Sequence, residues 1–420
     1  MKYIISGPRN PIQDTIYIPS SKSISNRALI IGALAGSDAR PLNLSDSDDT
    51  RVLQQALDSG SDIWDVGHAG TAMRFLTAFA ATRNREIILI GSERMKQRPI
   101  GPLVTALRGL GTRIDYLEKE GYPPLRILGG PLRGGDISVE AGISSQFISA
   151  LMMIGPVVPG GLRLHLAGEI VSGSYIGMTL ALMNRCGAGA DFRENVVTIP
   201  GDGYHARALV VESDWSAASY WFQVAALSQD PEIMLPGLRP DSLQGDAVLV
   251  ELFRSLGVEG RFSDDGLILT AGNGARSHRS RHWSYDFTLC PDLVQTFVVT
   301  LCTLDMPFRI TGTRTLRIKE TDRIAALETE MAKLGYVLSA PSDGRWIAWD
   351  GTRSRPEQDP VIGTYHDHRM AMAFAPAALR HGRLAISDPL VVTKSYPGFW
   401  NDLEKAGFSV ENISSSGPSG

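Results

Sequence analysis

Lys319-Glu320-Thr321-Asp322-Arg323-Ile324-Ala325-Ala326-Leu327-Glu328-Thr329-Glu330-Met331-Ala332-Lys333-Leu334-Gly335-Tyr336-Val337-Leu338 reads as one helix running into one strand. Ile324, Leu327, Met331 and Leu334 recur at three- and four-residue spacing, the period of a half-buried helix, and Gly335 is placed to end it. The pentad 319–323 is then expected to form the first helical turn. In that turn Lys319 and Arg323 share a face at i, i+4, a like-charge pair costing roughly 0.2–0.5 kcal/mol, and both oppose the positive end of the helix dipole. Either Glu320 and Asp322 neutralise them in a solvated turn, or an anion sits there. Recurrence decides between the two.

Both halves of the pattern recur. Helices that end at a glycine and run into a short apolar strand are read at Gly111, Gly187, Gly257, Gly335 and Gly407, with a weaker case at Gly60; the intervals are 51, 76, 70, 78 and 72 residues. A unit of ~70 residues is too long for a solenoid repeat and suits a small βα unit with added strands, six times over. Cations also recur at helix starts. Lys22 and Arg27 lie in Ser21-Lys22-Ser23-Ile24-Ser25-Asn26-Arg27, where the serines suit N-capping. Arg369 follows a capping Asp367 in Tyr365-His366-Asp367-His368-Arg369. In Arg94-Met95-Lys96-Gln97-Arg98-Pro99 the proline favours an extended Arg98, and alternation would point Arg94, Lys96 and Arg98 the same way. Gly70-Thr71, Ser144-Ser145-Gln146 and Pro291-Asp292 start helices whose backbone N–H groups can donate to an anion.

Composition narrows the partners. The 420 residues allow two or more cores, and a net charge of −4 makes the basic clusters local features, against the overall basic surface expected of a nucleic-acid-binding protein. Cys186, Cys290 and Cys302 are odd in number, widely spaced and without a CxxC, which argues against a disulfide scaffold or a cysteine metal site and fits a reducing, cytoplasmic setting. The longest apolar stretch, about Phe147 to Val158, is broken by Gly155-Pro156 and too short to span a bilayer, and the N-terminus lacks the apolar core of a signal peptide. No metal, cofactor, nucleic-acid or membrane partner is expected.

Six units divide into two domains of three. A strand ends and a new helix starts near Ser213-Asp214, close to the midpoint, and the strand at 14–19 is free to complete the second half. Residues 1–20 with 214–413 form the first, discontinuous domain, 21–213 form the second, and 414–420 form a flexible low-complexity tail.

Together these segments, with Ala69-Gly70-Thr71-Ala72-Met73-Arg74, Arg98-Pro99-Ile100-Gly101, Ser144-Ser145-Gln146-Phe147 and Asp367-His368-Arg369-Met370-Ala371-Met372, resemble in order and over nearly the whole chain the signatures of the 5-enolpyruvylshikimate-3-phosphate synthase family. The resemblance implies an α/β chain of two domains, the enolpyruvyl transferase-like inside-out α/β barrel, each domain three βαβαββ units with helix N-termini facing an interdomain cleft that closes on binding. It implies transfer of the enolpyruvyl group of phosphoenolpyruvate to the 5-hydroxyl of shikimate 3-phosphate, with release of phosphate, in the shikimate pathway to chorismate and aromatic amino acids. It further implies a metal-free monomer of a kind that glyphosate targets, with His68 and Phe75 placed beside the Gly70-Thr71 turn where they can alter that affinity. By resemblance Lys22, Gly70, Arg98, Gln146, Arg323, Arg369 and Lys394 bind phosphoenolpyruvate. Lys22, Ser23, Arg27, Ser144, Ser145, Gln146, Ser172, Tyr175, Asp292, Thr315 and Lys319 hold shikimate 3-phosphate.

The chemistry needs a proton taken from the hydroxyl and one given to the methylene carbon, on the way to a tetrahedral intermediate that expels phosphate. The resemblance assigns the first to Asp292 and the second to Glu320, with Lys22 protonating or stabilising the bridging oxygen and His368 in support. On sequence alone, an Asp after Pro291 is more commonly a helix N-cap. His68, Phe75 and Thr315 depart from the family's usual Asn, Pro and Asn. A UDP-sugar enolpyruvyl transferase, a polyanion-binding or RNA-end-processing protein of similar architecture, and an inactive relative stay open; the first usually carries a reactive cysteine near the Arg98 region, where this chain has none.

Overall fold

The computed structural model describes every residue except 37–39, 141, 143, 273–281 and 414–420, so the tail expected at 414–420 lies outside the described residues. The chain divides into two compact units, Met1–Pro19 with Ser213–Gly420, and Ser20–Glu212.

Strands β1 (Lys2–Ser6) and β2 (Gln13–Thr15) precede helices α1 (Lys22–Ala35) and α2 (Asp48–Asp58). A regular alternation follows: β3 (Ile63–Asp65), α3 (Gly70–Ala81), β4 (Ile87–Ile90), α4 (Gly101–Gly109), β5 (Arg113–Tyr116), β6 (Leu125–Gly129). It repeats as β7 (Gly135–Glu140), α5 (Ser145–Ile154), β8 (Leu162–Ala167), α6 (Gly173–Arg185), β9 (Asp191–Arg193), β10 (Val196–Ile199). Both stretches make a sheet of the same order, β3-β4-β6-β5 and β7-β8-β10-β9. The first pair is parallel and the others antiparallel, because a helix crossover returns the chain in the same direction whereas a short turn reverses it.

The discontinuous unit carries the pattern three more times. Helix α7 (Trp215–Leu227) leads to β11 (Glu232–Pro236), α8 (Leu249–Arg254), β12 (Val258–Ser263) and β13 (Gly266–Ala271), and the N-terminal β2 supplies their parallel first strand. Next come β14 (Trp283–Asp286), α9 (Val294–Thr303), β15 (Phe308–Thr311), α10 (Arg323–Lys333) and β16 (Trp346–Trp349), where the remaining strand shrinks to bridges at Tyr336 and Ser339. The last copy holds β17 (Val361–Ile362), α11 (His368–Phe374), α12 (Ala378–His381), β18 (Arg383–Ser387), α13 (Phe399–Lys405) and β19 (Ser409–Ile413), and β1 inserts between β18 and β19. The copy containing α1 and α2 is the most reduced: its described pairing is the parallel bridge of Leu42 to Val210.

Gly111, Gly187, Gly257, Gly335 and Gly407 have φ between 80° and 102°, the left-handed conformation that lets a helix stop and turn into a strand. Gly60 does not, and Ser59 closes α2 in an extended conformation.

Helices α3, α9 and α11 are buried almost all round. Every residue of α9 and α11 is buried, as are eleven of twelve in α3. A helix apolar on all sides must lie inside, so the sheets form the outer layer. Phe253, Phe297 and Trp283 pack there with ring centroids 4.8 and 5.2 Å apart. With their flanks occupied, these inner helices can meet a ligand at their ends.

Candidate active site

Helix α10 starts at Arg323 rather than Lys319. Asp322 is its N-cap, accepting from the Ala325 amide at 3.1 Å, and Arg317 holds the other oxygen of Asp322 at 2.9 Å. Because an aspartate in that place satisfies an end amide, Lys319 to Thr321 remain a bend after the 3-10 turn Arg314–Ile318, which also carries Thr315. The expected i, i+4 face of Lys319 and Arg323 is therefore absent.

Arg323 instead turns inward and is 1% exposed. Its Nε donates to Asp367 Oδ2 at 2.7 Å, Nη1 to Asp292 Oδ1 at 3.1 Å and Nη2 to Glu320 Oε2 at 2.9 Å. Burial alone would lower its pKa; the charges of Asp367, Glu320 and Asp292 outweigh that and raise it. Asp292 sits in the turn Pro291–Leu293 ahead of α9 and also takes Arg369 Nη2 at 2.8 Å and Lys319 Nζ at 3.7 Å. Three cations thus converge on the carboxylate that sequence alone reads more commonly as a cap. Asp367 caps α11 by accepting from the Arg369 amide at 2.9 Å, and buried His368 stands with Nδ1 3.8 Å from the same oxygen. Lys394 donates to the His366 carbonyl at 3.2 Å, which brings it to this cluster from the 3-10 turn Pro389–Lys394.

Behind them lies Asp246, 5% exposed, which accepts from the Ser216 hydroxyl; that hydroxyl oxygen is in turn 3.5 Å from Arg369 Nη2. Burial, reinforced by the negative charge of Asp292, pushes the Asp246 carboxyl up to about 7. Burial also pushes the Tyr220 phenol, beside Arg369, up to about 12.

The Ser20–Glu212 unit gathers a second anion-seeking group. Ser21 caps α1, and Lys22 in its first turn is 3.4 Å from Asp49. Arg27 is buried at 3% exposure: Nε donates to Thr179 Oγ1 at 2.7 Å, Nη2 to Ser149 Oγ at 3.0 Å and Nη1 to the Ser23 carbonyl at 3.0 Å. The Phe75 and Tyr175 rings lie 5.3 and 5.6 Å from its guanidinium. Burial lowers its pKa to about 10, which leaves it charged at neutral pH. Ser144 caps α5 by accepting from the Gln146 amide, Ser145 follows it, and the Gln146 side chain reaches Thr71 at the start of α3. Ser172 precedes α6 in a left-handed conformation. A β-carbon on Gly70 would fall on the Arg98 guanidinium, so glycine is what lets that cation lie against the start of α3.

The extended run expected over 94–98 is found only at Arg98. Met95–Gln97 form a 3-10 turn, Arg94 donates to Gln97, and Lys96 pairs with Glu93 and Glu118 on the surface. Of the departures, His68 bonds Ser92 at 2.8 Å, while Phe75 supports Arg27 rather than the Gly70 turn. Sequence reasoning missed Asp367, Asp246, Asp49, Ser149 and Thr179 as partners of the cations; the clue was that a buried arginine must find carboxylates or hydroxyls.

Among the described residues no group of three or more His, Cys, Asp and Glu side chains is arranged to hold a metal ion, and no helix is long and apolar enough to cross a membrane.

A family model described as EPSP synthase (3-phosphoshikimate 1-carboxyvinyltransferase) matches residues 7–59 and 53–403. A 3-phosphoshikimate 1-carboxyvinyltransferase of Bacteroides fragilis is 52% identical over 412 residues, covering 98% of this chain and 99% of the relative. The protein of that name in Vibrio campbellii is 34% identical, covering 96% and 99%. A solved EPSP synthase of Acinetobacter baumannii has the same fold, with TM-score 0.76 at 21% identity over 98% of this chain and 100% of that one.

Proposed function

We infer, because the chain belongs to the EPSP synthase (3-phosphoshikimate 1-carboxyvinyltransferase) family, that it transfers the enolpyruvyl group of phosphoenolpyruvate to the 5-hydroxyl of shikimate 3-phosphate and releases inorganic phosphate. The observation that carries the local chemistry is the Asp292 carboxylate among Lys319, Arg323 and Arg369, with Glu320 on the same guanidinium. The substrates bring two phosphates and two carboxylates, which these cations and the amides of the inner helices are suited to neutralise.

In this reading Asp292 accepts the proton of the 5-hydroxyl as that oxygen attacks C2 of phosphoenolpyruvate, and Glu320 delivers a proton to C3. A methyl-bearing tetrahedral ketal results. Loss of a proton from that methyl group and departure of phosphate restore the double bond. Arg323 is the pivot, because a phosphoryl oxygen arriving at Nη2 competes with Glu320 and releases the carboxyl to face carbon. Lys22, Gly70, Arg98, Gln146, Arg323, Arg369 and Lys394 bind phosphoenolpyruvate, the positions at which glyphosate competes. Ser23, Arg27, Ser144, Ser145, Ser172, Tyr175, Thr315 and Lys319, with Lys22, Gln146 and Asp292, hold the acceptor. The enzyme works as a cytoplasmic monomer.

The test is phosphate release from phosphoenolpyruvate with each acceptor in turn. Release is expected only with shikimate 3-phosphate; equal release with a UDP-sugar, or none with either, overturns the reading.

A further inference from the structure

The turn before α11 has a conformation its residues resist. The Asp367 amide donates to the Thr364 carbonyl at 2.8 Å, closing a four-residue turn whose central residues, Tyr365 and His366, have φ of 53° and 56°. Two left-handed residues in succession are the mark of a type I′ turn, which Gly, Asn and Asp normally fill; a tyrosine in the first place is disfavoured by its β-carbon. Such a backbone persists where its surroundings over-determine it.

Glu330, on the third turn of α10, supplies that constraint. It is 1% exposed, yet its two oxygens accept from Tyr365 Oη at 2.6 Å, the Gly363 amide at 2.9 Å and Lys333 Nζ at 2.7 Å. Lys333 then donates to the Val361 carbonyl at 2.8 Å, so one carboxylate and its lysine hold the segment from Val361 to Tyr365. Three charge-assisted hydrogen bonds match what a buried carboxylate requires. The far side of the turn presents the His366 carbonyl to Lys394 and the Asp367 carboxylate to Arg323.

We propose that Glu330 is a positioning residue for phosphoenolpyruvate: by clamping the 363–366 turn it sets where Lys394, Arg323 and Arg369 stand. This rests on reading the chain as an enolpyruvyl transferase. Of the acceptor's expected ligands in this unit, Thr315 and Lys319 lie on the segment before α10, and only Asp292 touches the clamped arginines, so the larger effect falls on phosphoenolpyruvate.

Tyr365→Phe removes one bond to Glu330 and keeps the ring; Glu330→Gln removes the charge and keeps the shape. Should Glu330→Gln fold poorly, Tyr365→Phe still tests the clamp, since Tyr365 is 40% exposed and contributes little packing. Two measurements are made on each. Hydrogen exchange in a peptide spanning 361–368 is expected to speed up by about 10-fold or more, and KM for phosphoenolpyruvate to rise several-fold in Tyr365→Phe and about 10-fold or more in Glu330→Gln, with KM for shikimate 3-phosphate within about two-fold. Unchanged exchange at 361–368, or a lower melting temperature with both KM values unmoved, overturns the proposal. Wild-type protein that releases no phosphate overturns the transferase reading instead, and the exchange measurement then decides the clamp by itself.

Discussion

Arg323 and Asp367 form a side-on pair in the interior: Nε meets Oδ2 at 2.7 Å, and their side chains are 2% and 0% exposed. The pair ties the start of α10 to the start of α11, because Asp367 also caps the latter. Removing Asp367 leaves the buried Nε of Arg323 without its carboxylate and α11 without its cap, although Asp292 and Glu320 still face the guanidinium; breaking a buried pair typically costs about 3–5 kcal/mol, about as much as a large core truncation. Asp367→Ala is therefore expected to destabilise the discontinuous unit by about 3–5 kcal/mol, read as a lowered urea midpoint for the transition that unit contributes. A midpoint within error of wild type would mean that the pair adds nothing net.

Glu320→Gln keeps the hydrogen bond to Arg323 and loses the transferable proton. Turnover is expected to fall by at least ~100-fold while equilibrium binding of both substrates changes little. Single-turnover phosphate release separates the two, and undiminished turnover removes Glu320 from the chemistry.

Asp246 gives a pH-dependent stability with a definite sign. Burial keeps its native carboxyl protonated up to about 7, against 3.8 for an ordinary aspartate. Between those values the native state binds more protons than the unfolded chain, so stability falls as pH rises from about 4 to about 7, by no more than ~4 kcal/mol. Asp246→Asn cannot ionise and should flatten that slope, seen as a smaller change in urea midpoint between pH 5 and pH 8. An identical slope in both proteins would mean that Asp246 ionises alike in the folded and unfolded states.

Arg27→Lys replaces a planar fork that reaches Thr179, Ser149 and the Ser23 carbonyl by a single ammonium. One nitrogen cannot serve three directions while stacking between Phe75 and Tyr175. KM for shikimate 3-phosphate is expected to rise by about 10-fold or more with a smaller effect on kcat, measured with phosphoenolpyruvate saturating. An equal rise for both substrates would point to general damage to the unit.

The sequence was readable where local chemistry decides. Five glycines that end helices take the left-handed conformation their position demands, and Ser21, Ser144 and Asp367 cap the helices they precede. It was less readable where a residue has two uses. Asp322 looked like one more charge in a helical turn, but a capping aspartate ends the pattern one residue before Arg323. Arg94 and Lys96 looked like partners of Arg98 until nearby Gln97, Glu93 and Glu118 claimed them. The carboxylates serving the buried arginines were out of reach for another reason: Asp367 is 44 residues from Arg323, and only the packing of α10 against the start of α11 brings them together.

Strand β1 lies between β18 and β19, and β2 is the parallel edge of the sheet built on β11. Residues 2–6 are thus paired with strands at 383–387 and 409–413, and residues 13–15 with a strand at 232–236. Residues 20–212 form their unit from one continuous stretch of chain. The other unit closes the sheet around β1 only through pairs as distant in sequence as Lys2 with Ile413, which makes its contact order high. Loop-closure entropy rises only as the logarithm of the intervening length, adding about 0.6 kcal/mol per doubling, so the long detour burdens the rate of folding more than the stability reached.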